Sequence, residues 1–271
     1  MEWPKLKNII LIILILTNLC LLVFVAQGEL RNSQLQRQAR EEAIQFLAAR
    51  GITVDEKQVP QTMKLLPQTV ERNLEEESQL AAVLLGQGVT VEDRGAGVYR
   101  YSNSTGSIQF HSDGSFSAEF SSGAFPMGED RVKDCTELLE KLNFRGEVLS
   151  EKEDALVFRQ TWNGYPLFTQ QVTLEISDGC LTAMTSGRRL IGEPVEDTTR
   201  QPITVVTALI NFWNGLNALG DVCSRIDTIT PGYVSVTALS GPMTLTPVWQ
   251  ITTDTGSYQL DTLTGELSRV V

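Results

Sequence analysis

A chain of 271 residues with 22 Lys and Arg against 33 Asp and Glu carries a net charge of −11 at pH 7. Such a surface repels nucleic acids and anionic lipid headgroups, which argues against nucleic-acid binding, and the charge reads as solubility. Hydrophobic residues make up 42%, and the length allows one or two domains, each able to build its own core.

Residues 9–26 carry no charge, and only Thr17 and Asn18 are polar among Ile, Leu, Val and their like. As a helix rising 1.5 Å per residue, the stretch reaches roughly 27 Å, close to the ~30 Å hydrocarbon core of a bilayer. It is read as a transmembrane helix over 9–27, after a tail at 1–8. A cleaved signal peptide competes, since Ala26-Gln27-Gly28 is a weak small-x-small site, but the run exceeds the usual apolar region of about 7–15 residues. A buried core helix would normally carry a polar face. Lys5 and Lys7 before the span are balanced by Arg31, Arg37 and Arg40 after it, so the positive-inside count does not set orientation. The shortness of the tail, and Trp3 at headgroup level, favour a cytoplasmic N-terminus with the large region outside. Residues 1–28 hold Glu2, Lys5 and Lys7, a net +1, which leaves −12 on the remainder.

Beyond the span, Leu35, Ala39, Ala43, Phe46 and Leu47 share a helical face that Gly51 ends. A second helix is expected to open at Pro67, with Val70, Leu74, Ala81, Leu84 and Leu85 inward and Gly86 at its close. Glu75-Glu76-Glu77 reads as its solvated face. Strands follow at Gly97–Tyr101, Ser107–His111 and Ser115–Phe120, the last two joined at Asp113-Gly114, a hairpin signal. The pattern then recurs. Val132, Cys135, Leu138, Leu139 and Leu142 mark a helix, with strands near Ala155–Trp162, Leu167–Ile176 and Cys180–Leu190 and a turn at Asp178-Gly179. After Pro202 a third stripe of Ile203, Val206, Leu209, Ile210, Trp213 and Leu216 precedes strands at Arg225–Leu239, Thr246–Thr253 and Tyr258–Asp261. Thr255-Gly256 is the turn, and Leu267–Val271 closes the sheet after Thr264-Gly265. A helix followed by an antiparallel meander, three times over, is an α+β architecture. Ser121–Gly128 is the best linker, dividing the region into 28–126 and 127–271.

Cys20 lies in the span, and Cys135, Cys180 and Cys223 are widely spaced in apolar patterns, which favours buried free thiols over a disulfide framework, though one pair could bridge. Catalytic, cofactor and metal residues are not assigned. His111 is the only histidine, the zinc-ligand spacings are missing, and no glycine-rich phosphate loop precedes a helix. Asp227, Asp254 and Asp261 read as turn or edge residues. Trp162, Tyr165 and Phe168 cluster around a strand turn, and Trp249 sits in a separate strand. Core packing is the plainer account of these rings; an exposed aromatic patch for a partner is the other.

The opening Met1-Glu2-Trp3-Pro4-Lys5-Leu6-Lys7-Asn8-Ile9 resembles the acidic-Trp-x-Lys start of the YycI family. The run from Phe158 to Phe168, Phe-Arg-Gln-Thr-Trp-Asn-Gly-Tyr-Pro-Leu-Phe, is similar to that family's Gln-Thr-Tyr-x-Gly-x-Pro-[Ile/Leu]-Phe, with Trp162 in place of the Tyr. Ile229-Thr230-Pro231-Gly232-Tyr233 resembles its Gly-Tyr signature. Pro247-Val248-Trp249-Gln250-Ile251 and Asp261-Thr262-Leu263-Thr264-Gly265-Glu266 resemble its closing strands, which are also typical of PepSY-like modules. The resemblance covers the anchor and residues 130–271, while 30–126 match in layout.

The resemblance implies a non-enzymatic protein of Gram-positive membranes with an extracytoplasmic α+β region and no cofactor. It implies action with YycH on the sensor histidine kinase WalK (YycG), in the system governing cell-wall metabolism. Asn18, and more weakly Thr17, could hydrogen-bond a neighbouring helix in the membrane. With Trp162, Tyr165, Phe168, Tyr233 and Trp249 they form the set of candidate partner-binding residues. The alternative is a PepSY-like surface protease inhibitor or ligand-binding module, which would expose the indoles of Trp162 and Trp249.

Overall fold

The computed structural model describes residues 14–19, 22, 34–237 and 241–270. The expected tail, most of the expected span including Cys20, and the ends of the strands expected to reach Leu239 and Val271 lie outside the described residues. Residues 14–19 and 22 are helical, and no helix among the described residues is long and apolar enough to cross a membrane.

Helix α1 (residues 34–48) buries Ala43 and Leu47, whereas Leu35 stays exposed, so only the later turns of the expected face pack. Gly51, at φ +85°, ends it as the sequence requires, with the Ile52 amide donating to the Leu47 carbonyl at 3.0 Å. Buried Arg40 fastens the helix to the following segment, donating to the Val59 carbonyl at 3.2 Å and pairing with Glu56.

Strand β1 (Thr53–Val54) precedes β2 (Gln68–Val70), which occupies the place where a helix was expected to open at Pro67. Val70 is wholly buried between two strands, so sheet pairing decides its conformation over the helical stripe. Helix α2 (Leu74–Leu85) starts four residues later. Its N-cap is Asn73, whose side chain accepts from the Glu76 amide at 3.1 Å.

Four strands follow: β3 (Thr90–Asp93), β4 (Tyr99–Asn103), β5 (Gly106–Phe110) and β6 (Ser115–Phe120). Helix α3 (Arg131–Lys141) leads to β7 (Gly146–Glu151), β8 (Ala155–Trp162), β9 (Tyr165–Ser177), β10 (Cys180–Arg188) and β11 (Pro194–Glu196). Helix α4 (Val205–Leu219) leads to β12 (Arg225–Thr237), β13 (Met243–Thr253), β14 (Ser257–Asp261) and β15 (Leu267–Arg269). The fold is mixed α+β, mostly sheet. The sequence reading lacked β1, β3, β7 and β11. Of these, β3 is fully exposed and β7 nearly so, which removes the alternation that signals a half-buried strand.

The three meanders do not remain separate. One hydrogen-bonded path runs β11-β2-β13-β12-β9-β10-β6-β5-β4-β3. Strand β6 of the first meander pairs with β10 of the second, and β9 of the second pairs in parallel with β12 of the third through Leu167 and Tyr233. One core cluster gathers Leu80, Tyr101, Ile108, Phe116, Cys135, Leu139, Phe158 and Met184 from both sides of the expected linker, so the division at 126/127 runs through a shared core. A second cluster unites α1 and α4 with β12–β15 around Phe212 and Trp249. Between them a third, smaller cluster holds Val70, Leu167, Leu190, Ile191, Tyr233, Met243 and Leu245.

Candidate functional site

The Trp162–Phe168 segment forms the β8–β9 hairpin beside this third cluster. Asn163 and Gly164 turn it with φ of +49° and +80°, the left-handed pair that a two-residue hairpin needs, and Trp162 faces Tyr165 across the register. Trp162 and Tyr165 are half-buried, packed against the third cluster. Phe168 is buried, with the Arg159 guanidinium 5.3 Å from its ring centroid.

Gly232 explains part of the Gly-Tyr pattern. A Cβ there would lie 2.5 Å from the Pro166 carbonyl oxygen and 2.6 Å from Phe168 Cε2, so only glycine lets β12 come this close to β9. Next to it, buried Tyr233 takes a hydrogen bond from Gln68 Nε2 at 3.1 Å and donates to the Leu66 carbonyl at 3.2 Å. Burial pushes its hydroxyl pKa up, against the Gln68 hydrogen bond. Trp249 is 2% exposed, deep in the second cluster. The structure therefore brings Trp162, Tyr165, Phe168 and Tyr233 to one junction. It places Trp249 in the core, so an exposed patch shared by both indoles does not form. Thr17 and Asn18 sit on the exposed helical residues 14–19.

Two cavities adjoin the hairpin. One, of about 270 Å³, lies between residues 60–65, Tyr165, Pro247 and Trp249. The other, of about 340 Å³, is walled by Trp162, the Asn163-Gly164 turn, Glu76 of α2, Asn143 and Arg145 after α3, and the Arg189–Glu193 segment after β10. Its frame is a hydrogen-bond network. Glu76 Oε1 accepts from Arg189 Nη2 at 3.3 Å and from Asn143 Nδ2 at 3.2 Å. Gln160 uses both ends of its amide, accepting from the Leu190 amide at 3.0 Å and donating to the Asn143 carbonyl at 3.2 Å. Asn143 holds a left-handed φ of +56° where α3 ends, with the Phe144 amide bonded to the Leu139 carbonyl at 2.9 Å. Burial lowers the pKa of Arg189, opposed by Glu76 and Glu77.

The expected solvated face Glu75-Glu76-Glu77 is thus corrected. Glu76 belongs to this network. Glu77, 1% exposed, receives both Nε and Nη2 of Arg72 at 2.8 Å, and Arg72 Nη1 donates to the Gly97 carbonyl at 2.6 Å. Sequence reasoning missed Glu76, Glu77, Arg145 and Arg189. The available signal was Asn73 three residues before Glu76, an N-terminal capping spacing that fixes where the first turn points.

Other polar residues take structural places. Asp254 accepts from the Ser224 and Arg225 amides, and the Ser224 hydrogen bond heads the causes that hold its carboxyl below the usual range. Asp261 accepts from the Leu263 and Thr264 amides, and Asp227 pairs with Arg225 at 2.5 Å. His111 Nε2 is 2.8 Å from Gln109 Nε2. Cys135, Cys180 and Cys223 are free; Cys135 is buried, while the other two are half-buried rather than buried as expected. Burial pushes the Cys135 and Cys223 thiols up to about 11. Among the described residues no group of three or more His, Cys, Asp or Glu could hold a metal ion.

A family model described as "YycI protein" matches residues 30–263. No curated protein matches the chain. Among solved structures, it is similar to an uncharacterized protein from Eubacterium rectale, at 12% identity over 81% of this chain and 90% of that one, with a TM-score of 0.44. It is also similar to the C-terminal domain of YpeB from Bacillus megaterium, at 13% identity over 74% of this chain and 99% of that one, with a TM-score of 0.35.

Proposed function

Because this chain belongs to the YycI family, we propose that it is a membrane-anchored, extracytoplasmic regulator of a WalK/YycG-type sensor histidine kinase, working with a YycH-like partner. The observation that carries this reading is the family match over residues 30–263. Family membership points to a regulator in the YycG/WalK system rather than to an enzyme. The N-terminus is cytoplasmic in this reading and the α+β region lies outside. Exposed Leu14, Ile15, Leu16, Leu19 and Leu22 support an apolar surface that a bilayer would cover. A sensor kinase exchanges between states, and a protein that contacts one state better shifts the population by its differential affinity. Asn18 can contribute to that contact inside the membrane, where a polar side chain on a neighbouring helix is worth about 0.5–2 kcal/mol.

The test is co-purification from native membranes with three versions: the full chain, a chain whose residues 1–28 are replaced by an unrelated anchor, and Asn18→Leu. Kinase and YycH-like protein are expected with the full chain, and reduced recovery with the other two. Equal recovery with all three would make the span a tether and move recognition to the outer region. Absence of both partners from the full-chain sample would sink the proposal. The alternative, a protease inhibitor or ligand-binding module, would expose both indoles; Trp249 is buried while Trp162 is half-buried, so the structure favours it less.

A further inference from the structure

We propose that the surface formed by α1 and α4 rests on the bilayer that anchors the chain, with the Trp213 indole at the level of the lipid headgroups. The inference rests on the membrane-anchored reading above and adds which face of the outer region meets the lipid.

The first observation is where charge is missing. Helices α1 and α4 both pack on the second cluster and meet in an edge-on contact of Phe46 with Trp213, ring centroids 5.8 Å apart. Residues 201–220, which include all of α4, contain no Asp, Glu, Lys or Arg. Yet α4 lies at the surface: Thr207, Asn214, Asn217 and Ala218 are exposed, and Val206, Ile210 and Trp213 are half-buried. A helix face turned to water ordinarily carries charged residues. In residues 34–50, Arg37, Arg40 and Arg50 outnumber Glu41 and Glu42. The negative excess beyond residue 28, −12 in all, therefore lies on other elements.

The second observation is the chemistry of the contact. The Arg50 guanidinium stacks on the Phe46 ring, 3.4 Å from its centroid, and lies 4.7 Å from that of Trp213. An indole beside an arginine suits the headgroup layer, where the ring is half in hydrocarbon and the cation meets phosphate. Leu35, three turns before Phe46 on the same stripe of α1, is 59% exposed. The third observation is the tether. The expected span ends at residue 27 and α1 begins at 34, so the residues between them reach at most about 25 Å. Held that close, the outer region must turn some face to the bilayer.

Electrostatics chooses the face. Anionic headgroups repel the acidic elements and attract exposed Arg37 and Arg50, while the uncharged outer side of α4 adds no repulsion. A protein partner is the weaker occupant, because Thr207, Asn214 and Asn217 leave no apolar centre of the kind that anchors protein interfaces.

The test is tryptophan fluorescence of the full chain in vesicles of phosphatidylcholine and phosphatidylglycerol, with and without a nitroxide-headgroup lipid. The chain carries Trp3→Phe, which silences the indole expected at the membrane segment. The nitroxide is expected to quench part of the emission. Adding Trp213→Phe should abolish that part, and adding Trp162→Phe should leave it. Thr207→Glu with Asn214→Glu changes exposed positions and should leave the thermal midpoint in detergent unchanged. The pair should lower the docked population by about 5-fold or more, and the quenching with it. Protein that floats with the vesicles but is not quenched would overturn the proposal, leave the anchor in place and return this face to a protein partner. Quenching that survives Trp213→Phe, or ignores the two glutamates, would overturn it as well. Protein that does not float with the vesicles would overturn the anchored reading and the proposal together.

Discussion

Gly232 shows how one side chain, or its absence, sets the junction. A methyl group there would press on the Pro166 carbonyl at 2.5 Å, and this neighbour is backbone rather than a flexible side-chain end. Gly232→Ala should therefore force β12 away from β9 and cost about 1–3 kcal/mol, as overpacking does. Denaturant unfolding of the variant beside wild type measures it; an unchanged midpoint would mean that the two strands separate without penalty. The Asn163-Gly164 turn stood out in the sequence because turn chemistry is local and the letters alone signal it; Gly232 was marked only by the family resemblance, since the contacts that demand it come from Pro166 and Phe168, far away in the chain. Trp249 illustrates the opposite. Its ring was legible, but whether it met solvent or the second cluster depended on α4 and β14 folding over it, which no short window contains. The cavity residues were still less legible. Arg145 and Arg189 are 44 positions apart and meet only because α3 and β10 pack around one core.

At the scale of elements, α2 is tied down by charges that the sequence presents as surface. Three consecutive glutamates open it, which favours the helix N-terminus through the macrodipole. Only the residue at 77 is turned fully inward, where Arg72 meets it with two hydrogen bonds. Removing one partner of a buried pair leaves the other charge uncompensated. Glu77→Gln should cost about 3–5 kcal/mol, whereas Glu75→Gln, at an exposed position, should stay within about 0.5 kcal/mol. Unfolding midpoints of the two variants decide the matter, and equal losses would show that the Arg72 contact contributes nothing special. Helix existence was legible for α1, α3 and α4 because their apolar stripes are periodic. The start of α2 was misplaced because Val70 fits the stripe yet serves β2, where pairing with β13 and β11 buries it.

Across the whole molecule, β9 links the first cluster to the third: Val172, Leu174 and Ile176 lie in the one and Leu167 in the other. Its later residues pair with β8 and β10 over the first cluster, while Leu167 near its start pairs with Tyr233 of β12, whose strand roofs the second. Thr169 Oγ1 reinforces the joint by accepting from the Ser235 amide at 2.9 Å. A strand that cannot leave one core without disturbing the other should make the two unfold together. Native-state hydrogen exchange in mild denaturant is expected to bring the slowest amides of β5, in the first cluster, and of β13, in the second, to one common opening free energy. Two values that stay apart as denaturant rises would show that the junction joins two independent units. The distinction bears on function because α1 packs on the second cluster, whereas the cavity beside the β8–β9 hairpin opens next to the third and draws its α2 wall from the first. If the clusters open as one, free energy gained by filling that cavity also stabilises the seat of α1, the described helix that follows the expected membrane segment. If they open separately, a ligand at the hairpin has no thermodynamic route to α1 through the folded sheet, and coupling to a membrane partner would have to run through direct contact with the hairpin face.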